Sequence, residues 1–168
     1  MLNISMKKIN KLLSTFFGYG YLTKIPGTIT SAVTTIFIYV AYEILEYKDL
    51  KFSIIFFILL FFYSFYAVKD SETEFQNKDP RQIVIDEVLG QSMPLILLLY
   101  LSQTNQINIS IEIYYIVSFI FFRFFDILKP FPVSYFDKYH KNYFGIIMDD
   151  IMAGLYTMML IYLISLKF

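Results

Sequence analysis

The chain has 168 residues, enough for one domain, with 57% apolar residues, 17% charged residues and a net charge of zero. A soluble domain averages about 25% charged residues, so this composition, with a mean hydropathy of +0.57, is that of a multi-pass membrane protein. Zero net charge gives no case for nucleic acid, and the absence of cysteine removes disulfides, thiolate metal sites and cysteine nucleophiles together.

Residues 1–28 open with Lys7, Lys8 and Lys11, and an apolar patch runs from Leu12 to Phe17. No small-residue cleavage site follows, so the reading is an interfacial amphipathic helix, not a signal peptide. Gly18-Tyr19-Gly20 and Pro26-Gly27-Thr28 form a glycine-spaced loop. The plain reading is a turn followed by a helix N-cap at Thr28 or Thr30. The sharper one is a loop whose N–H groups, with the Thr28 and Ser31 hydroxyls, face an anion at a helix start.

Residues 29–46 have about the length a bilayer needs, near 20 residues, and 52–68 form an uninterrupted apolar run, the clearest span. Lys48, Asp49 and Lys51 mark the turn between them. A polar stretch, 69–87, follows, and its outer charges, among them Asp70, Glu72, Glu74 and Lys78, read as a solvated face. Asp79-Pro80 favours a turn, because proline disfavours the helical region for its predecessor. Asp86-Glu87 then leads into the apolar segment 88–101, which Pro94 marks as kinked or only partly embedded.

Residues 102–110 carry no charge and read as a loop; 111–128 form the next helix, closed by Pro130 and Pro132. Arg123 and Asp126 share one of its faces and read equally as a structural ion pair or as part of a site. A polar link, 133–148, holds Asp137, Lys138, His140 and Lys141, and the last helix is expected to start at Asp149 or Asp150. Asp150, Gly154 and Thr157 share a face there, and the small residues let another helix come close. The expected fold is all-α: a single domain over 1–168, built as a membrane bundle of four to five apolar helices.

With the basic N-terminus in the cytoplasm, the polar loops 69–87 and 129–149 fall on the same side. That side then carries most of the lysines and arginines, as the positive-inside rule requires. The acidic residues gather there too. Carboxylates beside a membrane core are costly and mark function by default. Asp86, Glu87, Asp126, Asp149 and Asp150 are therefore the catalytic candidates, and Asp86, Glu87, Asp149 and Asp150 the metal ligands. Asp149 alone would read as an N-cap; the adjacent pair beside a membrane helix reads as a metal site. Without thiolates or clustered imidazoles, these hard oxygen donors suit Mg²⁺ over a phosphate, with Thr28, Arg123 and Lys129 as phosphate-binding groups. A metal-bound water is the preferred nucleophile, and attack by an aspartate stays open. A small carrier or channel moving cations on buried carboxylates is the alternative, although the charges sit at helix ends instead of mid-span.

Four blocks recur in the same order in a known family: Pro26-Gly27-Thr28; Ile83-Val84-Ile85-Asp86-Glu87-Val88-Leu89-Gly90-Gln91; Phe122-Arg123-Phe124-Phe125-Asp126-Ile127-Leu128-Lys129-Pro130-Phe131-Pro132; and Gly145-Ile146-Ile147-Met148-Asp149-Asp150 with Ala153-Gly154. In these the chain resembles the phosphatidylglycerophosphatase A family of bacteria. The resemblance implies an all-helical, Mg²⁺-dependent lipid phosphatase of the inner membrane, its active site facing the cytoplasm. It implies hydrolysis of phosphatidylglycerophosphate, held in the lipid bilayer, to phosphatidylglycerol. One block departs from the family pattern. Asn142 and Tyr143 stand where the family has a glycine pair, and Ile147 stands at its Met position. The CDP-alcohol transferases, another membrane phosphate chemistry, need an Asp-Gly-x-x-Ala-Arg string that is absent.

Overall fold

The computed structural model describes residues 2–72, 75, 80–107 and 110–167. Among them are seven α-helices and no strand: α1 (Leu2–Ser14), α2 (Pro26–Tyr39, continued by a wider π turn over Val40–Ile44), α3 (Leu50–Glu72), α4 (Ile85–Gln103), α5 (Ile111–Leu128), α6 (Val133–Tyr139) and α7 (Tyr143–Lys167). Four helical stretches are long and apolar enough to cross a membrane: Pro26–Ile44, Leu50–Ser71, Ile85–Gln103 and Tyr143–Leu166. The all-helical membrane bundle expected from composition is therefore the fold observed. It wears its apolar surface outside: Phe52, Ile55, Phe56, Leu59 and Phe62 of α3 are all exposed, as befits a helix solvated by lipid.

The bundle is organised around α4, which packs most extensively on α7 and also touches α2, α3 and α5. Glycine makes the α4–α7 contact possible. A Cβ on Gly154 would lie 2.6 Å from the Gly90 carbonyl oxygen, and one on Gly90 would lie 2.7 Å from the Asp150 carbonyl oxygen. The two backbones thus touch directly, as small residues allow in membrane helices. Pro94 lies inside α4 without interrupting it. The segment is one continuous helix, long and apolar enough to cross a membrane, where a shorter apolar run was expected. Neighbouring helices shield the backbone that proline disturbs.

Helix α1 lies against α3 through polar contacts. Asn10, fully buried, donates from Nδ2 to Asp70 (2.8 Å) and accepts from the Tyr63 hydroxyl (2.7 Å). The Ser14 carbonyl accepts from the Val84 N–H at 2.9 Å, so the end of α1 anchors the segment leading into α4. Asp70 is thus a structural partner of α1 and not part of a solvated face. The turn expected at Asp79-Pro80 lies, for Asp79, outside the described residues, as do Glu74 and Lys78.

Two helix starts differ from expectation. Helix α2 begins at Pro26, with Ile25 at its N-cap, earlier than the expected cap at Thr28 or Thr30. Proline is well suited to the first helical position, where its missing N–H is not needed. Helix α7 begins at Tyr143, so Asp149 and Asp150 sit in its second turn and neither is a cap. The capping group is Asn142, whose Oδ1 accepts from the N–H groups of Phe144 (3.1 Å) and Gly145 (3.2 Å). The position at which this chain departs from the family's glycine pair thus supplies a cap instead. Asn142→Ala is expected to cost about 1 kcal/mol of stability, read as a lower Tm. An unchanged Tm would remove the capping role.

Candidate active site

Four elements meet at one end of the bundle around a cavity of about 410 Å³. Its walls are the first turn of α2 (Pro26, Gly27, Thr28), the approach to and first turn of α4 (Arg81, Ile83, Val84, Asp86, Glu87), the end of α5 (Arg123, Asp126, Ile127, then Lys129), and Ile146, Asp149 and Asp150 of α7. The elements are far apart in sequence, and the chain's alternation across the bundle returns them to the same end. All eight residues singled out from sequence line this cavity: Thr28, Asp86, Glu87, Arg123, Asp126, Lys129, Asp149 and Asp150.

Glu87 is buried. Ser31 donates to its Oε2 at 2.7 Å, and Arg123 donates to the same oxygen. Gly27 lies flush against this carboxylate, and any Cβ there would collide with it. Arg123 also pairs with Asp126 at 3.1 Å, so its guanidinium bridges α4 and α5. Ser31, read from sequence as a possible anion ligand, instead faces a carboxylate one turn into α2. Thr28 lies in the first turn of α2, on the cavity wall.

Lys129 follows the last residue of α5 in a left-handed conformation, φ 48° and ψ 57°. That region is disfavoured for a side chain with a Cβ. The turn carries the ammonium to Asp137 Oδ1 (2.6 Å) and Asp149 Oδ2 (2.9 Å). Burial works against this charge, but the two carboxylates outweigh it and hold the Lys129 ammonium well above its usual range. Burial likewise pushes the Asp137 carboxyl up, yet Lys129 and Lys141 pull it below the usual carboxylate range. The pair is therefore ionised throughout neutral pH.

Asp150 is 4% exposed, and among the described residues its Oδ2 has no hydrogen-bond partner, as is also true of Arg123 Nε. A buried carboxylate oxygen without a partner is costly. Five carboxylates face three cations in this cavity, so with all of them ionised it lacks two positive charges. Among the described residues, no three acidic or imidazole groups stand close enough together to hold a metal ion as they are. The donor set nevertheless fits a hard divalent cation: carboxylate oxygens only, excess negative charge, and one buried oxygen unsatisfied.

Sequence reasoning missed Arg81, an exposed cation on the cavity rim, and Asp137 as the second holder of Lys129. Arg81 lay beside a proline turn and looked like any loop charge. Asp137 became legible only once Lys129 turned back on itself. His140, read as a surface residue, is half-buried among Tyr135, Phe136 and Phe144.

Fold and cavity together define a multi-pass helical membrane protein with a charged site where helix starts and carboxylates converge. Residues 12–165 match the family described as PgpA: Phosphatidylglycerophosphatase A. The chain is 33% identical over 168 residues to the phosphatidylglycerophosphatase A of Haemophilus influenzae, covering 97% of this chain and 96% of that one. It is 27% identical over 154 residues to the Escherichia coli protein of the same name, covering 92% and 82%. A Bacteroides thetaiotaomicron relative, 29% identical over 150 residues and covered to 89% on both sides, carries the provisional name phosphatidylinositol-3-phosphatase. No solved structure matches the chain. The chain belongs to the phosphatidylglycerophosphatase A family and is a phosphatase.

Proposed function

We propose that this protein hydrolyses the terminal phosphate monoester of phosphatidylglycerophosphate to give phosphatidylglycerol, on the cytoplasmic face of a bacterial inner membrane and with Mg²⁺. The observation that carries the reading is the cavity where the starts of α2 and α4 meet the arginine, lysine and carboxylates of α5 and α7. Helix starts favour anions through their unpaired N–H groups and their dipoles. The lipid's phosphate would sit against the first turn of α2 and Thr28, with Arg81 and Lys129 offering positive charge.

The division of labour follows from the hydrogen bonds. Arg123 is already committed to Glu87 and Asp126, so it fixes α5 against α4 as well as facing the phosphate. Lys129 keeps Asp149 oriented toward the cavity. Asp149 and Asp150, with Asp86 and the remaining lone pairs of Glu87, are the groups that would hold Mg²⁺. Once bound, the ion supplies the positive charge that a phosphate meeting five carboxylates requires. The oxygen of an attacking water bonds to phosphorus as the ester P–O bond breaks. Asp86, the least buried of the five carboxylates, accepts the proton released by that water, and the departing glycerol oxygen takes one from solvent.

The relative named for a phosphoinositide phosphatase supports a second reading on the same chemistry, with phosphatidylinositol 3-phosphate as substrate. Both are tested by phosphate release from purified protein in mixed micelles. Phosphatidylglycerophosphate is expected to turn over at least 10-fold faster than phosphatidylinositol 3-phosphate. Excess EDTA is expected to remove about 99% of the rate, and added Mg²⁺ to restore it, since one such electrostatic contribution is worth roughly 10²-fold or more. Turnover unaffected by EDTA would sink the metal proposal, and a reversed preference would favour the phosphoinositide.

A further inference from the structure

The lining of the cavity mixes charged and apolar residues. Besides the carboxylates and the exposed Arg81, it includes Ile25, just before α2, and Ile127, in the last turn of α5. Both line the cavity, yet they are 59% and 71% exposed. Each therefore presents one flank to the charged interior and the rest to the surroundings. Their neighbours Leu22 and Leu128 extend the apolar edge outward, and both are exposed. Helices α2 and α5 also touch each other far less than α4 touches α7. An apolar edge on a strongly charged cavity has no use for a water-soluble phosphate ester, which could arrive past Arg81.

Resting on the phosphatase reading above, we infer that the phospholipid substrate reaches the cavity sideways from the bilayer, between the start of α2 and the end of α5, with Ile25 and Ile127 as the sill its glycerol backbone and first acyl carbons cross. The occupant follows from the lining: exposed apolar side chains border a cavity suited to phosphate. A two-chain lipid moving this way keeps its tails in apolar surroundings while its headgroup enters the charged interior. Passage through water would instead expose methylenes, each at a cost.

The absence of native cysteine makes the test clean, because a single introduced thiol is the only site a maleimide can modify there. Ile127→Cys and Ile25→Cys are each assayed before and after attachment of a bulky maleimide, so every sample serves as its own control for folding. The substrates are dioleoyl phosphatidylglycerophosphate in bilayer vesicles and its dihexanoyl analogue, which dissolves in water. Labelling is expected to lower kcat/KM at least 10-fold on the vesicle substrate and less than 3-fold on the soluble one. Labelled Ile55→Cys, on the lipid face of α3, is expected to change neither. Equal losses on both substrates, or no loss at either position, would overturn the sideways path. If the unmodified protein releases phosphate from neither substrate, the phosphatase reading itself fails and the path falls with it.

Discussion

Asp150→Asn is expected to lower phosphate release by at least about 100-fold while leaving the protein as stable as wild type or more so. The two halves of this result arise from one observation. Asp150 is buried, and among the described residues its Oδ2 has no hydrogen-bond partner, while Asp86, Glu87, Asp126 and Asp149 line the same cavity. A carboxylate kept there against four like-charged neighbours, with one buried oxygen unpaired, is costly to the fold. Replacing it with an isosteric neutral amide removes a buried charge, a change that is often neutral or stabilising. Stability is surrendered at such a site when the charge has work to do on a ligand. The rate loss matches what one electrostatic contributor to a transition state typically supplies, roughly 10²- to 10³-fold. Parallel measurement of Tm and kcat decides the matter. A drop in Tm with activity retained would make Asp150 a structural residue and remove it from the site.

Gly154→Leu is expected to separate α7 from α4 and to remove folded protein or activity altogether. A Cβ at Gly154 already meets the Gly90 carbonyl oxygen at 2.6 Å and the Met93 sulfur at 3.1 Å. Backbone cannot swing aside as a side chain can. Overpacking typically costs about 1–3 kcal/mol even where side chains can yield, and this contact sits at the largest helix interface in the molecule. The damage would reach the site, because Gly154 lies one turn from Asp150 and Gly90 nearly one turn from Glu87. Gly154→Ala is the graded version, with a lower Tm and a smaller loss of rate. A Gly154→Leu protein with wild-type Tm and full activity would show that the helices do not depend on this close approach.

The spans illustrate what hydropathy can and cannot locate. The run at 52–68 announced α3, and α5 was bounded correctly at 111–128 because prolines and an uncharged loop flank it. Helix α7 was started six residues late, because Asp149-Asp150 looked like a cap and Tyr143 to Met148 looked like a link. In fact Asn142 makes the cap, and the aspartates are carried inside a helix by the packing of Ile146, Ile147 and Ile151 in the core. Buried charges at a site break the ordinary link between polarity and exposure.

The candidate carboxylates and cations were legible because charge is scarce in so apolar a chain, so each one near a span stands out. The partnerships among them were not. Nothing in the order of residues says that Arg123 grips Glu87, that Ser31 turns to the same carboxylate, or that Lys129 adopts a left-handed turn to reach Asp137 and Asp149. Composition and hydropathy determined that this protein is a helical membrane bundle with most of its acidic residues at one end, since the bilayer tolerates few other arrangements of such a chain. Tertiary packing decided which oxygens are already bonded, which one is left without a partner, and which edge of the cavity is apolar. Those properties depend on distances between α2, α4, α5 and α7, whose site residues lie far apart in sequence, and sequence-local patterns hold no record of such distances.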